Sequence, residues 1–215
     1  MFEDQQQPKL KICGITSLED ARFAAGALVD YLGFIFYPGS ARYISPRNAS
    51  EIISWIEGPK CVGVFVNQPA DEINKVIKKT NIDLVQLHGD ESPGFARSLD
   101  RPVIKAFRVK GPEQAGELSE SISEWEDVAE YFLFDAHHDQ LYGGTGSAWD
   151  WSIVNKLGHS TPFFLAGGIN DENLKEAVSQ VSPFGIDLSS SLEESPGVKD
   201  FDKIQSFVDV WNDLQ

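Results

Sequence analysis

Residues Leu10–Ala27 read LKICGITSLEDARFAAGA. The segment opens with a short apolar run, LKICG at 10–14, of a kind that suits a strand. A glycine-bearing break follows. Ser17 then stands where a helix N-cap belongs, ahead of an alanine-rich stretch with helical spacing. One strand, one tight turn and one helix therefore fit into 18 residues. If that unit recurs, the chain is an α/β protein built on parallel strands.

It does recur. Further strand signals are YLGFIF at 31–36, CVGVFV at 61–66, DLVQLH at 83–88, PVIKAF at 102–107, YFLFDA at 131–136, FFLAGG at 163–168 and FGIDLS at 184–189. These are near-continuous apolar runs, which suit parallel strands covered on both faces. Helical spacing appears between them. SPRNASEIISWI places Ser45 as a cap and Pro46 in the first turn, where a missing N–H costs least. ADEINKVIKKT puts Ile73, Val76 and Ile77 on one face, and DENLKEAVSQV does the same with Leu174, Ala177 and Val178. FDKIQSFVDVWNDL is amphipathic, and EQAGELSESISEW is weaker because of its internal glycine. About eight strand-then-helix units predict one closed (β/α)8 TIM barrel spanning residues 1–215, with residues 1–8 as a short tail. A doubly wound open sheet is the competitor, but the first turn, CGITS, is not a glycine-rich dinucleotide loop.

Composition narrows the function. The chain has 215 residues, with 33 acidic and 18 basic side chains and a net charge of −15. Binding to a phosphate backbone needs a basic face, so nucleic acid is not an expected partner. No apolar run is long enough to span a bilayer, so no membrane partner is expected either. The first residues, MFEDQQQPKL, lack the order of a signal peptide. Two cysteines, Cys13 and Cys61, form no disulfide framework, which predicts reduced thiols and a cytoplasmic location. The histidines His88, His137, His138 and His159 show no metal-motif spacing, so no metal is expected.

In a TIM barrel the chemistry gathers where the strands end. The strand ends here bring Cys13 and Gly14, Arg42 in the loop after strand two, His88, Arg108, Asp135, Gly167 and Gly168, and Asp187 with Ser189 and Ser190 to one mouth. Cys13 is either a small buried hydrophobe or a base at the rim. Cys61 begins its strand at the opposite end and reads as structural. Asp135 closes a strongly apolar run, which is costly unless the carboxylate is paired, solvated or used. It either caps a backbone N–H or acts as a general acid whose pKa burial raises. Arg42 is either a solvated loop residue or a bidentate partner for a carboxylate or phosphate. The turns LAGGIN and DLSSSLEESPG follow strands seven and eight, a common phosphate site in barrels. GGTGSAWDW at 143–151 is a further glycine-rich loop.

Taken together, KICGIT, LGFIFYPGSARYIS, GVFVN, VQLHGDE, FDA, GGTG, DW, LAGGIN and SPGVKD resemble the phosphoribosylanthranilate isomerase family almost end to end. The resemblance implies a (β/α)8 barrel that carries out an Amadori rearrangement with an acid and a base and no cofactor. Asp135 would be the general acid and Cys13 the general base. Arg42 would hold the substrate's anthranilate carboxylate. Gly168, Ser189 and Ser190 would cradle its phosphate, and Asp187 would contact the bridging amine. The partner is then a phosphorylated small molecule, and the chain a monomer or homodimer.

Two positions depart from the family pattern. Ser191 stands where a glycine is common, and at positive φ a serine would cost about 1 kcal/mol. Ser147 stands after GGTG where a basic residue is frequent. The alternatives are another phosphate-handling barrel, of the pentose-phosphate epimerase or thiamin-phosphate synthase type, and a non-catalytic barrel that binds a phosphorylated ligand.

Overall fold

The computed structural model describes residues 7–214 except 112, 114 and 137–148. Eight parallel strands close into a barrel in chain order. They are β1 (Lys9–Cys13), β2 (Tyr31–Ile35), β3 (Lys60–Phe65), β4 (Leu84–Leu87), β5 (Val103–Val109), β6 (Tyr131–Ala136), β7 (Phe163–Leu165) and β8 (Gly185–Leu188). Each of the eight expected strands is present, and β8 pairs with β1 to close the ring.

The helices are α1 (Leu18–Gly26), α2 (Pro46–Ile53), α3 (Ala70–Thr80), α4 (Pro93–Ala96), α5 (Ala115–Ser123), α6 (Leu174–Val181) and α7 (Phe201–Asn212). Ser17 and Ser45 cap as expected, accepting from the backbone N–H groups of Asp20 and Asn48. Two connections differ from a regular strand-helix alternation. α4 is a single turn begun by Ser92 and Pro93, too short for hydrophobic periodicity to show. Between β6 and β7 the described chain holds a 3-10 turn, Trp151–Lys156. After β8 a two-stranded hairpin, β9 (Glu193–Ser195) and β10 (Val198–Lys199), folds before α7. Gly197, at φ +87°, supplies the left-handed residue of its turn.

Strand alternation explains how one chain carries both a core and a site. Leu10, Ile12, Leu32, Phe34, Val85, Phe132, Phe134 and Ile186 face outward and pack with the helices. Tyr31, Val62, Leu84, Ile104, Leu133 and Phe164 face inward and fill the barrel's lower interior. Two residues further along β4 and β6, the inward position turns polar: Leu84 is succeeded by Gln86, and Leu133 by Asp135. The apolar plug below thus sets the floor of whatever occupies the mouth.

That plug is tightly packed at β8. A Cβ on Gly185 would lie 2.7 Å from the backbone oxygen of Lys9 and from the Phe164 ring. Gly185→Ala should therefore destabilise the fold by about 1–3 kcal/mol, the usual cost of overpacking. Urea unfolding checks this, and an unchanged midpoint would show that the β1–β8 seam is looser than described.

Candidate active site

The parallel register places the polar residues side by side. Lys11 lies opposite Asp187, Cys13 opposite Gly33, and Arg108 opposite Asp135. Gly33 is needed there, because a Cβ at that position would come 2.6 Å from Cys13 Sγ. Lys11 and Cys13, two apart on β1, share the inward face. Above them opens a cavity of about 430 Å³. Cys13, Arg42, Asp135, Gly168, Asp187, Ser189 and Ser190, the seven site residues expected from sequence, all line it. His88 lines it as well. Cys61 is buried at the start of β3, away from it. GGTG, Ser147 and the pair His137–His138 lie outside the described residues.

Four further residues shape the site. Lys11 is fully buried and sits 2.8 Å from Asp187 Oδ1. Glu193 takes Arg42 in a fork, with Nε at 2.8 and 3.1 Å and Nη2 at 2.7 Å. Lys199 bonds Glu193 Oε1 at 2.9 Å. Gln86 Nε2 lies 2.9 Å from His88 Nδ1. A lysine between Leu10 and Ile12, in a strand otherwise apolar, was the available sequence signal for Lys11. Glu193 and Lys199 belong to a hairpin that periodicity does not reveal.

The mouth also offers open hydrogen-bonding groups. Gln86 Oε1, His88 Nε2 and Ser189 Oγ are buried and have no partner among the described residues. The backbone N–H groups of Gly168, Ser189 and Ser190 bond no described backbone group. Gly167 and Gly168 hold φ +81° and +74°. Ser191 is not at positive φ, so the serine in place of glycine carries no backbone strain. No group of three or more His, Cys, Asp or Glu among the described residues is placed to hold a metal ion. No described helix is long and apolar enough to cross a membrane.

A family model described as N-(5'-phosphoribosyl)anthranilate (PRA) isomerase matches residues 10–210. The chain belongs to the phosphoribosylanthranilate isomerase family. It is 44% identical over 207 residues to the N-(5'-phosphoribosyl)anthranilate isomerase of Aquifex aeolicus, covering 93% of this chain and 96% of that one. The phosphoribosyl anthranilate isomerase of Thermus thermophilus superposes with a TM-score of 0.84 at 36% identity, over 96% of this chain and 100% of the other. A phosphoribosyl anthranilate isomerase in complex with reduced 1-(o-carboxyphenylamino)-1-deoxyribulose 5-phosphate gives 0.82 at 33%, over 96% and 99%.

Within this isomerase-family mouth, burial sets the proton affinities. Asp135 is pushed up to about 7, first by burial and then by Asp187, against the Ala136 N–H bond, Arg108 and Lys11. Its Oδ1 accepts from the Ala136 N–H at 2.8 Å, so the capping role and a raised pKa coexist. Burial also pushes the Cys13 thiol up, opposed by Lys11 more than Asp187 adds to it. Lys11 is held above the ordinary lysine range because Asp187 and Cys13 together outweigh its burial. Burial, followed by Arg108, Lys11 and Lys105, drives His88 down to about 3. His88 is therefore a neutral imidazole, and its 3.6 Å approach to Asp135 Oδ2 is not an ion pair.

The raised Asp135 carries a stability signature. In the unfolded chain it ionises near 4, and in the folded chain near 7. Between those values the folded chain keeps a proton that the unfolded chain has released, so stability falls as pH rises. Asp135→Asn has no such proton. Its Tm should gain on wild type as pH climbs from about 4 to about 7; a Tm gap independent of pH would place Asp135 in the ordinary range.

Proposed function

We propose that this chain converts N-(5-phosphoribosyl)anthranilate into 1-(2-carboxyphenylamino)-1-deoxyribulose 5-phosphate, with Asp135 as general acid and Cys13 as general base. The observation that carries this reading is that the Asp135 carboxyl on β6 and the Cys13 thiol on β1, two residues from the buried Lys11, line one cavity.

Asp135 gives its proton to the furanose ring oxygen. The C1–O bond breaks, and the nitrogen lone pair closes a C=N bond at C1. The Cys13 thiolate then removes the C2 proton, and the electron pair becomes the C1–C2 double bond of an enolamine. Protonation at C1 and loss of the 2-hydroxyl proton yield the ketose. Arg42 holds the anthranilate carboxylate, Asp187 contacts the bridging amine, and the backbone N–H groups of Gly168, Ser189 and Ser190 receive the phosphate. An acidic chain can bind this substrate because its donors are concentrated at the mouth.

The acid ionises below the base, so the productive form is the less populated one: thiolate with protonated carboxyl. Activity rises with pH until Asp135 begins to ionise and falls once the thiol has fully ionised. The lower inflection of kcat/KM therefore belongs to Asp135, near 7, and the upper one to Cys13. A single inflection with no alkaline limb would contradict the pairing.

Freshly prepared phosphoribosylanthranilate, followed by loss of its fluorescence, separates this activity from the alternatives. Cys13→Ala should cut kcat by at least ~10²-fold, and Asp135→Asn should nearly abolish turnover. Cys61→Ala should stay close to wild type. No turnover by wild type would discard the reading, and normal turnover by Cys13→Ala would discard the base.

A further inference from the structure

Arg42 alone does not explain how the mouth attracts a carboxylate. Its guanidinium is engaged through Nε and Nη2 by both oxygens of Glu193. An arginine so paired forms a neutral couple, and a neutral couple is a poor anion site. The structure supplies a second cation. Lys199, whose side chain has no exposed surface, lies 2.9 Å from Glu193 Oε1. It also lies 2.7 Å from the carbonyl oxygen of Cys13 and 3.2 Å from that of Ser189. All three partners are acceptors, and three acceptors match the three N–H donors of an ammonium. Burial works to raise the Glu193 carboxyl, but Arg42 and Lys199 outweigh it and hold it below the usual range.

We propose that Lys199 is a specificity-determining positioning residue: it cancels the charge of Glu193, so the Arg42–Glu193–Lys199 cluster keeps one net positive charge at the rim for the ligand's carboxylate. Glu193 fixes the plane of the guanidinium, and Nη1 is not among the atoms it engages. Lys199 touches no ligand itself. By bonding the carbonyls of Cys13 and Ser189, it also ties this cation to the ends of β1 and β8. The inference rests on the role given to Arg42 above.

The test uses two inhibitors that differ only in the carboxylate: the reduced product, 1-(2-carboxyphenylamino)-1-deoxyribitol 5-phosphate, and its anilino counterpart. The ratio of their inhibition constants measures what the carboxylate contributes. Wild type should prefer the carboxylate. Lys199→Met, with a neutral cluster, should lose roughly tenfold of that preference. Lys199→Met/Glu193→Gln returns the cluster to one positive charge and should recover part of it, which a packing role for Lys199 does not predict. Lys199→Gln keeps two donors without charge and makes the same prediction should Lys199→Met fail to fold. Equal weakening of both inhibitors, or a double variant no better than the single, overturns the proposal. If wild type turns over substrate but shows no preference for the carboxylate, the role of Arg42 falls and this inference with it; if wild type binds neither inhibitor and turns nothing over, the proposed reaction falls first.

Discussion

A lysine ammonium with no exposed surface, 2.8 Å from an aspartate across the β1–β8 seam, is the constraint around which this mouth is arranged. Burying either charge alone costs several kcal/mol, and removing one partner of such a pair costs about 3–5 kcal/mol. The pair therefore persists only because the register holds its members opposite each other. It is also oriented. At the thiol of Cys13, Lys11 acts more strongly than Asp187. At the carboxyl of Asp135, Asp187 acts more strongly than Lys11. The positive end favours a thiolate and the negative end favours a protonated acid, which is the combination the proposed rearrangement needs.

The rest of the structure makes that arrangement affordable. The lower interior is filled by Tyr31, Val62, Leu84, Ile104, Leu133 and Phe164, so water does not approach the ion pair from below. Glycines at 33 and 167 leave room for Cys13 and Asp135, where a Cβ would collide with the reactive side chain. The β9–β10 hairpin then covers one side, and Lys199 joins it to the backbone of Cys13 and Ser189. A protein with many more acids than bases thus concentrates Lys11, Arg42 and Lys199 about one cavity.

Much of this was legible in the sequence, for identifiable reasons. Eight apolar runs separated by capped helical segments specify a closed parallel sheet, and the rule that strand ends bear the chemistry selected Cys13, Asp135 and Asp187. Period-two alternation within the strands was harder to see, because both faces of a barrel strand are apolar until the last inward position. Lys11 is an early inward exception on β1, two residues before Cys13, and a lysine inside LKIC was its signal. Glu193 and Lys199 were hidden by distance: their partners are Arg42 and Cys13, over 150 residues away in the chain. The concern over Ser191 was removed by its backbone, since a 3-10 turn accepts any residue at that φ. The one-turn helix α4 and the hairpin are too short for periodicity to register.

The oriented ion pair is tested most directly by the pH dependence of Cys13 alkylation by iodoacetamide, measured in a Cys61→Ala background. Wild type is compared with Lys11→Met/Asp187→Asn, which removes both charges and leaves no unpaired buried ion. Because Lys11 outweighs Asp187 at the thiol, the alkylation midpoint should move upward in the double variant. A midpoint that stays in place or moves down would mean the pair is structural and does not set the charge state of Cys13.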